Sequence, residues 1–450
     1  MIERLSLTNF KAWERLDNAR LAPLTAFFGT NSSGKTSVLQ ALLLMKQTAA
    51  SPDRRVALDF GGDSTPVELG TYRDVVFGHD EERSIGFGVE WTLHEDLEIV
   101  DPLGDATDRL RSDRIRFEAS ISLRQGQPST DSVAYVIDDT RFALARYQGK
   151  STFRLTVNPS QRLPLQQRRG RPATLGGPVR YYGFPAEAVG NYKNADFLND
   201  FELALEELWA HVSYLGPLRE DPRRQYTWGG ARPADVGQRG EKAVEAILAA
   251  RAAKLHVPEK GHGRAKVETW VARWLQALGL IHTFDVVPVV KGSSLFQVKV
   301  RRTASSPEVL LTDVGFGVSQ VLPVLVLLAY APERSVVLLE QPEIHLHPAV
   351  QAGLADVVID AIAKRRLQVL IESHSEHFLQ RLQRRVAEGT VGLDDLALYF
   401  CHQVDGRAVL EELALDLYGN VTNWPEGFFG DQLGDAIAMT EAGAKRRGVA

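Results

Sequence analysis

The chain has 450 residues but a single cysteine, Cys401. One thiol cannot form an internal disulfide, and it cannot supply the several thiolates of a cysteine-rich metal site. The scarcity of cysteine therefore excludes a disulfide-stabilised scaffold, and it fits a reducing compartment. We interpret Cys401 as a buried thiol without a chemical role.

Long apolar segments and an excess of basic residues are also missing. The longest apolar runs, such as LPVLVLLAYA, are far shorter than the roughly 20 residues that span a bilayer, and the first residues, MIERLSLTNFKAW, lack the apolar core of a signal peptide. The formal net charge is −5, so a nucleic-acid-binding surface would have to be a local patch. The sequence predicts a cytoplasmic protein with no membrane partner.

The hydrophobic pattern changes along a chain that is long enough for about two to three domains. A strand–loop–helix unit comes first, and residues 84–157 show the period-two alternation of antiparallel strands. A loop and helices follow, and after residue 283 strands alternate with helices, which predicts an α/β fold with a helix-covered parallel sheet. We predict five regions, which comprise residues 1–83, 84–157, 158–282, 283–400 and 401–450.

The segment GTNSSGKT fits the phosphate-loop pattern G-x-x-x-x-G-K-[ST], and it lies between an apolar strand and the start of a helix. In such a loop the backbone N–H groups and the helix N-terminus bind phosphate oxygens. Lys35 is expected to contact the β- and γ-phosphates, and the Thr36 hydroxyl to help hold Mg²⁺. The predicted ATP-binding residues of this loop are Gly29, Asn31, Ser32, Ser33, Gly34, Lys35, Thr36 and Ser37.

A second motif lies about three hundred residues downstream, where the apolar strand SVVLLE runs into QPEIHLHP. A carboxylate at the end of such a strand is placed to hold Mg²⁺ through water beside a phosphate loop, and Glu340 has this position. Gln341 stands where a water-activating carboxylate is expected, and an amide cannot take a proton from water. Glu343 or His374 must then supply any base, and we expect weak hydrolysis.

These motifs and their order resemble the ABC-type ATPase heads of the SMC, RecF and OLD groups, over residues 1 to about 50 and 305–385. The resemblance implies that regions 1–83 and 283–400 form one ATPase domain, and that two copies dimerise around ATP and Mg²⁺. A signature turn of one subunit would then meet the nucleotide of the other. TDVGFGVSQVLP has the place of that turn, with Gly315, Gly317, Ser319 and Gln320, although Gly315 replaces the usual serine. His374 in LIESHSEHFLQRL has the place of a histidine near the γ-phosphate.

The segment NWPEGFFGD narrows the resemblance to a bacterial subgroup whose members are similar to proteins of anti-phage and mobile-element loci. Trp424, Pro425, Phe428 and Phe429 would form an aromatic latch over the domain or over a partner. DLALYFCHQVDGRAVLEELAL before it predicts a hairpin that turns at Asp405-Gly406. No cluster of metal-binding carboxylates is evident there, so a self-contained nuclease of the OLD kind fits poorly.

Arginine-rich segments leave the partner open. Residues 158–180 contain five arginines and no acidic residue, which is typical of a solvated loop or a phosphate-contacting one. YLGPLREDPRRQYTW places arginines among aromatic residues, which suits nucleic-acid contact, an arginine that reaches the nucleotide, or a cation–π surface. The arginines of this segment are Arg219, Arg223 and Arg224.

Two functions follow from the sequence. The first is a homodimeric ATPase that couples its nucleotide state to DNA or to a protein effector encoded nearby, in anti-phage defence or DNA maintenance. The second is a slowly hydrolysing, nucleotide-gated scaffold that holds and releases a nuclease or toxin, and Gln341 is its main support. A native glutamate changed to glutamine by engineering would look the same in one sequence.

Overall fold

We describe a computed structural model of the chain. It describes residues 1–62, 65–103, 109–159, 162–172, 174–259 and 263–425, together with residues 438–440, 442 and 446. All statements below concern these residues.

Nineteen strands and nine α-helices lie in these ranges. The strands are β1 Ile2–Phe10, β2 Trp13–Arg20, β3 Leu24–Gly29, β4 Ile85–Val100, β5 Arg109–Arg124, β6 Gln127–Ile137, β7 Thr140–Arg146, β8 Phe153–Asn158, β9 Val212–Leu215, β10 Tyr226–Thr227, β11 His256–Glu259, β12 Gly263–Lys266, β13 Thr283–Pro288, β14 Leu295–Arg301, β15 Val309–Leu310, β16 Val336–Glu340, β17 Gln368–Glu372, β18 Leu396–Val404 and β19 Arg407–Glu412. The helices are α1 Lys35–Ala50, α2 Tyr72–Val75, α3 Ala186–Asn191, α4 Leu198–Ala210, α5 Ala243–Ala252, α6 Val267–Ala277, α7 Phe316–Tyr330, α8 Pro348–Arg365 and α9 Glu376–Ala387.

The central sheet has six strands in the order β19-β18-β3-β17-β16-β9. All neighbours in it are parallel except β19, which is antiparallel to β18 at one edge. VVLLE and QVLIE are buried almost throughout, as expected for strands that have helices on both faces. The α/β fold predicted from the sequence, with a helix-flanked mixed sheet, is confirmed.

A second sheet has seven antiparallel strands in the order β2-β1-β4-β5-β6-β7-β8. Its strands alternate buried and exposed residues, which is the pattern of a sheet with one covered face. The antiparallel region predicted for residues 84–157 is therefore present, and it pairs with the N-terminal strands β1 and β2, which precede the phosphate loop. Since β4 pairs with β1, this sheet and the phosphate-loop strand are joined within the first thirty residues of the chain.

The helical region is split between the two cores. Helix α4 packs on the seven-stranded sheet, whereas α5 and α6 pack with α7 near the small sheet of β10, β14, β13 and β15. Cys401 on β18 is fully buried, as predicted, and its burial raises the pKa of the thiol to about 12.

The predicted hairpin is also present. Asp405 and Gly406 both have positive φ between the paired residues Val404 and Arg407, which is the geometry of a tight hairpin turn. Of the proposed aromatic latch, Trp424 is half-exposed, and Phe428 and Phe429 lie outside the described residues. A bilayer-spanning helix is not found within the described part of the chain.

Aromatic rings join α4 to the seven-stranded sheet. Phe201 of α4 is fully buried and stacks on Tyr135 of β6, with the ring centroids 5.0 Å apart and the planes 6° from parallel. Its ring also meets Phe142 of β7 at 5.3 Å. Because aromatic pairs add to the energy of apolar burial, this cluster fixes the helix to the sheet.

We expect Phe201→Ala to lower the free energy of unfolding by about 3–5 kcal/mol, because it leaves a cavity under α4. Leu203→Ala is the matched control on the same helix, where Leu203 is 61% exposed, and we expect a change within about 0.5 kcal/mol. Denaturant unfolding measures both. A loss for Phe201→Ala as small as that of the control would show that the cluster does not hold the helix.

Candidate functional site

The phosphate loop leaves β3 at Gly29 and enters α1 at Lys35. Gly34 has φ +97° and caps the helix, and a Cβ there would lie 2.9 Å from Ala408 Cβ. A Cβ on Gly29 would lie 2.0 Å from the carbonyl oxygen of Cys401. Both glycines of the motif are therefore required by left-handed backbone or by close approach of β18 and β19.

Two side chains from outside the loop hold its backbone. Trp13 of β2 is fully buried, and its Nε1–H donates to the Gly34 carbonyl at 3.1 Å. The Gln403 Nε2 donates to the Ser32 carbonyl at 2.7 Å. Since both bonds use carbonyl oxygens, they leave the N–H groups of the loop available for an anion.

Lys35 lies inside the loop with only 3% of its surface exposed. Its ammonium group donates to the carbonyl oxygens of Gly29 at 3.1 Å and Thr30 at 2.6 Å. Burial lowers the pKa of Lys35, and the carboxylate of Glu372 opposes this effect. The loop therefore holds a desolvated positive charge at the start of α1.

The parallel register brings the ends of three strands to this loop. Glu340 of β16 pairs with Glu372 of β17, and Glu372 pairs with Phe27 of β3, two residues before Gly29. Gln341 then turns the chain with φ +44°, and its backbone N–H donates to the Glu372 carbonyl at 2.9 Å. Carboxylates from two strands thus meet the phosphate loop at one edge of the sheet.

Glu340 contacts β9 through its side chain. Its Oε2 accepts a hydrogen bond from the Tyr214 hydroxyl at 2.7 Å. Burial raises the pKa of Glu340, while the Tyr214 hydroxyl and the nearby Arg219 guanidinium counteract this effect and Glu372 adds to it. Sequence reasoning missed Tyr214, and nothing in its short strand would have indicated the contact.

Arg219 follows the same strand and is almost fully buried, since only 8% of its surface is exposed. Within the described residues its Nε and Nη1 have no hydrogen-bond partner. Burial lowers its pKa to about 10, and the nearby Glu340 and Glu343 counteract that effect. Arg219 is thus a buried cation close to the acidic residues at the end of β16, and it does not line the pocket beside the phosphate loop.

The other two arginines of that segment face the surface instead. Arg223 forms an ion pair with Glu220, and Arg224 Nη2 lies 3.1 Å from Asp313 Oδ1. In the described residues, the cation–π contacts involve other arginines and a lysine. These ion pairs are solvated, so they add little stability.

Glu343 is only 6% exposed. Its Oε1 accepts from the Ser373 hydroxyl at 2.9 Å and from the His374 backbone N–H at 2.6 Å. Burial raises the pKa of Glu343, and these hydrogen bonds counteract that rise. The carboxylate therefore ties the turn after β16 to the end of β17, where it orients His374.

His374 is exposed and reaches the loop side of the site. Partial burial and the positive charge of Lys35 lower the pKa of its imidazole, which is therefore neutral at pH 7. Ser375 next to it caps α9, because its hydroxyl accepts from the Phe378 N–H at 3.0 Å.

A pocket of about 190 Å³ lies between the loop and the two strand ends. Gln341, Glu372 and His374 form one wall, and the loop forms the other with Asn31, Ser32, Ser33, Gly34, Lys35, Thr36 and Ser37. Glu340 and Glu343 do not line it. The acidic residue of the wall is Glu372, which was not among the site residues predicted from the sequence, although QVLIE ends in glutamate as VVLLE does.

The predicted signature turn lies at the start of α7. Gly315 is exposed and precedes the helix, and a Cβ on it would meet no atom within 4 Å. Ser319 and Gln320 lie one turn inside the helix, and their side chains are 6% and 4% exposed. The sequence predicted both as residues of the signature turn, whereas the structure places them inside the helix that follows it. Both side chains are buried, so the accessible part of the turn is at Gly315 and Gly317.

A family model described as "AAA domain, putative AbiEii toxin, Type IV TA system" matches residues 24–380, which is more than half of the chain and includes both motifs. The chain belongs to this AAA family. The resemblance to ATPase heads of the SMC, RecF and OLD kind is thereby confirmed. A second model, "Protein of unknown function (DUF3696)", matches residues 393–438 of this AAA protein.

Solved structures with a similar fold include three SMC heads. The SmcHead bound to the C-winged helix domain of ScpA is 10% identical with a TM-score of 0.48, covering 92% of this chain and 98% of that one. The SMC head domain from Thermotoga maritima is 11% identical with a TM-score of 0.38, covering 92% and 99%. The Smc head with an extended coiled coil, bound to the C-terminal domain of ScpA derived from Pyrococcus furiosus, is 10% identical with a TM-score of 0.48, covering 98% of each. No curated protein matches the chain.

We expect Glu343→Gln to change how stability depends on pH. An acid whose pKa is raised by folding binds more protons in the folded state, so its contribution to stability falls as pH rises from its ordinary pKa through the raised one. Each tenfold difference in proton affinity between the folded and unfolded states corresponds to about 1.4 kcal/mol of folding free energy. Glutamine keeps the acceptor for Ser373 and His374 without the buried charge.

The difference in melting temperature, Glu343→Gln minus parent, should therefore increase from pH 4 to pH 8 without added nucleotide or metal. The exposed Glu68 is the matched control, and Glu68→Gln should show no such trend. A difference for Glu343→Gln that does not change with pH would mean that folding does not raise the pKa of the Glu343 carboxyl.

Proposed function

We propose that this AAA protein binds ATP in the pocket between the phosphate loop and the strand ends, and hydrolyses it there. The observation that carries this proposal is the convergence of the loop, Lys35 and the acidic ends of β16 and β17 at one sheet edge. Nucleotide hydrolysis depends on such positioning of charges around the β- and γ-phosphates. Membership of the AAA family supports it.

The residues of the phosphate loop would have separate roles in binding the phosphates and Mg²⁺. Backbone N–H groups from Asn31 to Ser33 would bind phosphate oxygens together with the start of α1, and Lys35 would transfer its ammonium group from the loop carbonyls to the phosphates. Thr36 and Glu340 offer oxygen ligands of the kind that Mg²⁺ prefers. Bound Mg²⁺ would neutralise charge on the phosphates.

His374 would contact the γ-phosphate as a neutral imidazole. Its pKa is lowered, so it would accept or donate a hydrogen bond without adding positive charge. Glu343 would act through it, because the carboxylate holds the His374 backbone at 2.6 Å. Arg219 would balance the negative charge of Glu340 and Glu343 from behind the pocket.

We further propose that two copies close face to face, with the turn at Gly315 and Gly317 of each copy over the nucleotide of the other. Gly315 is exposed at the start of α7, where the first backbone N–H groups lack partners within the helix. These N–H groups can donate hydrogen bonds to a phosphate bound by the other copy. Binding of ATP would close the dimer, and hydrolysis would open it.

The dimer would pass this motion to a partner. A protein effector encoded nearby is the partner that we favour, and the description of the matching family as a putative toxin of a type IV TA system supports a protein partner. The role that we propose is anti-phage defence or DNA maintenance. DNA is the second candidate through the arginine-rich loops. A nucleotide-gated scaffold with very slow turnover is the alternative function, and the amide of Gln341 is the observation that favours it.

Steady-state phosphate release from the purified protein with ATP and Mg²⁺ tests the proposal. We expect turnover that falls roughly 100-fold or more in Lys35→Ala, because that variant loses the ammonium group that would stabilise charge on the transferred phosphoryl group. Lys242→Ala is a lysine control away from the loop. ATP binding without Lys35-dependent turnover would support the scaffold instead, and no ATP binding would reject both.

Gly315→Arg tests the dimer. A Cβ at this position meets no atom within 4 Å, and the backbone has an ordinary φ of −52°, so we expect the monomer to fold as the parent does. We expect it to abolish the dimer that ATP and Mg²⁺ induce, as measured by light scattering, and to reduce turnover with it, because a long charged side chain blocks close approach. Gly190→Arg, at another exposed glycine with open space, is the control. An ATP-dependent dimer of Gly315→Arg would exclude this turn from the interface.

A further inference from the structure

The amide at position 341 has a carboxylate beside it on the neighbouring strand. Gln341 Nε2 donates to Glu372 Oε1 at 3.2 Å, and the Gln341 backbone N–H donates to the Glu372 carbonyl. Both residues line the pocket on the wall that faces the phosphate loop. The carboxylate that the strand β16 motif lacks is thus present one strand away, from β17.

Glu372 has one oxygen engaged and one free. Its Oε1 accepts from Gln341, while its Oε2 is buried and has no hydrogen-bond partner among the described residues. A buried carboxylate oxygen without a donor is costly unless it has a task or a ligand. Lys35 is the cation near it, and this is the lysine expected to contact the β- and γ-phosphates. The Glu372 carboxylate therefore lies on the pocket wall within electrostatic reach of the lysine that we expect at the γ-phosphate.

The other carboxylates near the site lie outside the pocket. Glu340 accepts from the Tyr214 hydroxyl, and Glu343 Oε1 accepts from Ser373 and from the His374 backbone. Glu343 Oε2 is buried without a partner among the described residues, as Glu372 Oε2 is. Neither of these glutamates lines the pocket. His374 lines it, but it stands on the exposed side, next to the loop.

We propose that Glu372 is the general base of the hydrolysis, and that Gln341 orients its carboxylate. The inference rests on the ATPase activity proposed above. The water oxygen forms a bond to the γ-phosphorus while the bond from that phosphorus to the β,γ-bridging oxygen breaks. ADP leaves with the electron pair of the broken bond, and the proton of the water passes to Glu372 Oε2.

An exchange of side chains across the two strands tests this assignment. Glu372→Gln should reduce single-turnover hydrolysis of bound ATP by about 100-fold or more, which is the range for loss of a general base. Its affinity for ATP should stay within about threefold of the parent, since phosphate binding belongs to the loop. Glu68→Gln should match the parent in both measurements.

The double variant Gln341→Glu with Glu372→Gln restores one carboxylate and one amide on the same wall. We expect it to recover at least about tenfold in turnover over Glu372→Gln, because a carboxylate is again present on the pocket wall. A group that only supports the fold would not give this rescue. The double variant keeps one amide and one carboxylate at positions 341 and 372. Its recovery of turnover would therefore show that the loss in Glu372→Gln does not come from misfolding.

The outcomes separate the two proposals. If the parent hydrolyses ATP in a Lys35-dependent way and Glu372→Gln does so at a similar rate, the base assignment is wrong while the ATPase stands. If Glu343→Gln abolishes turnover and Glu372→Gln does not, Glu343 is the base. If the parent has no Lys35-dependent turnover, the ATPase proposal itself fails.

Discussion

The parallel pairing of β3, β17 and β16 is the constraint on which the site depends. Each of these strands is buried, and the register sets Glu340 opposite Glu372 and Glu372 opposite the end of β3. Because side chains at the carboxyl ends of parallel strands meet at one edge, the phosphate loop and the acids cannot be separated without breaking the sheet. The seven-stranded sheet contributes through Trp13, whose indole holds the Gly34 carbonyl.

That arrangement concentrates negative charge in a poorly solvated place. Glu340, Glu343 and Glu372 lie together, and burial raises the pKa of the first two. Lys35 and Arg219 are the buried cations that face them, and both have a lowered pKa, because burial penalises their charge as well. Removal of either cation would leave buried carboxylates without a compensating charge, which is destabilising. It also provides the low-dielectric surroundings in which charges act strongly on a phosphoryl group.

The sequence predicted the elements that have a strong local signal. Gly29, Gly34 and Lys35 follow a motif whose spacing reflects backbone geometry, and Asp405-Gly406 requires positive φ at both positions, so each was visible in a short window. The hydrogen bonds of Tyr214 and Trp13 could not be predicted from a short window, because they depend on which strands become neighbours in the fold. Ser319 and Gln320 were predicted near the right turn, but the sequence alone did not show that their side chains are buried.

The amide at position 341 follows from the same constraint. Glu372 already places a buried carboxylate on the pocket wall, and a glutamate at 341 would add a second one within hydrogen-bonding distance. Two carboxylates so close cannot both stay ionised in a low dielectric, and one pKa would rise until it took up a proton. Glutamine removes that conflict and supplies a donor that orients Glu372 Oε1. Gln341 thus pairs with Glu372 without adding a second negative charge to the pocket wall.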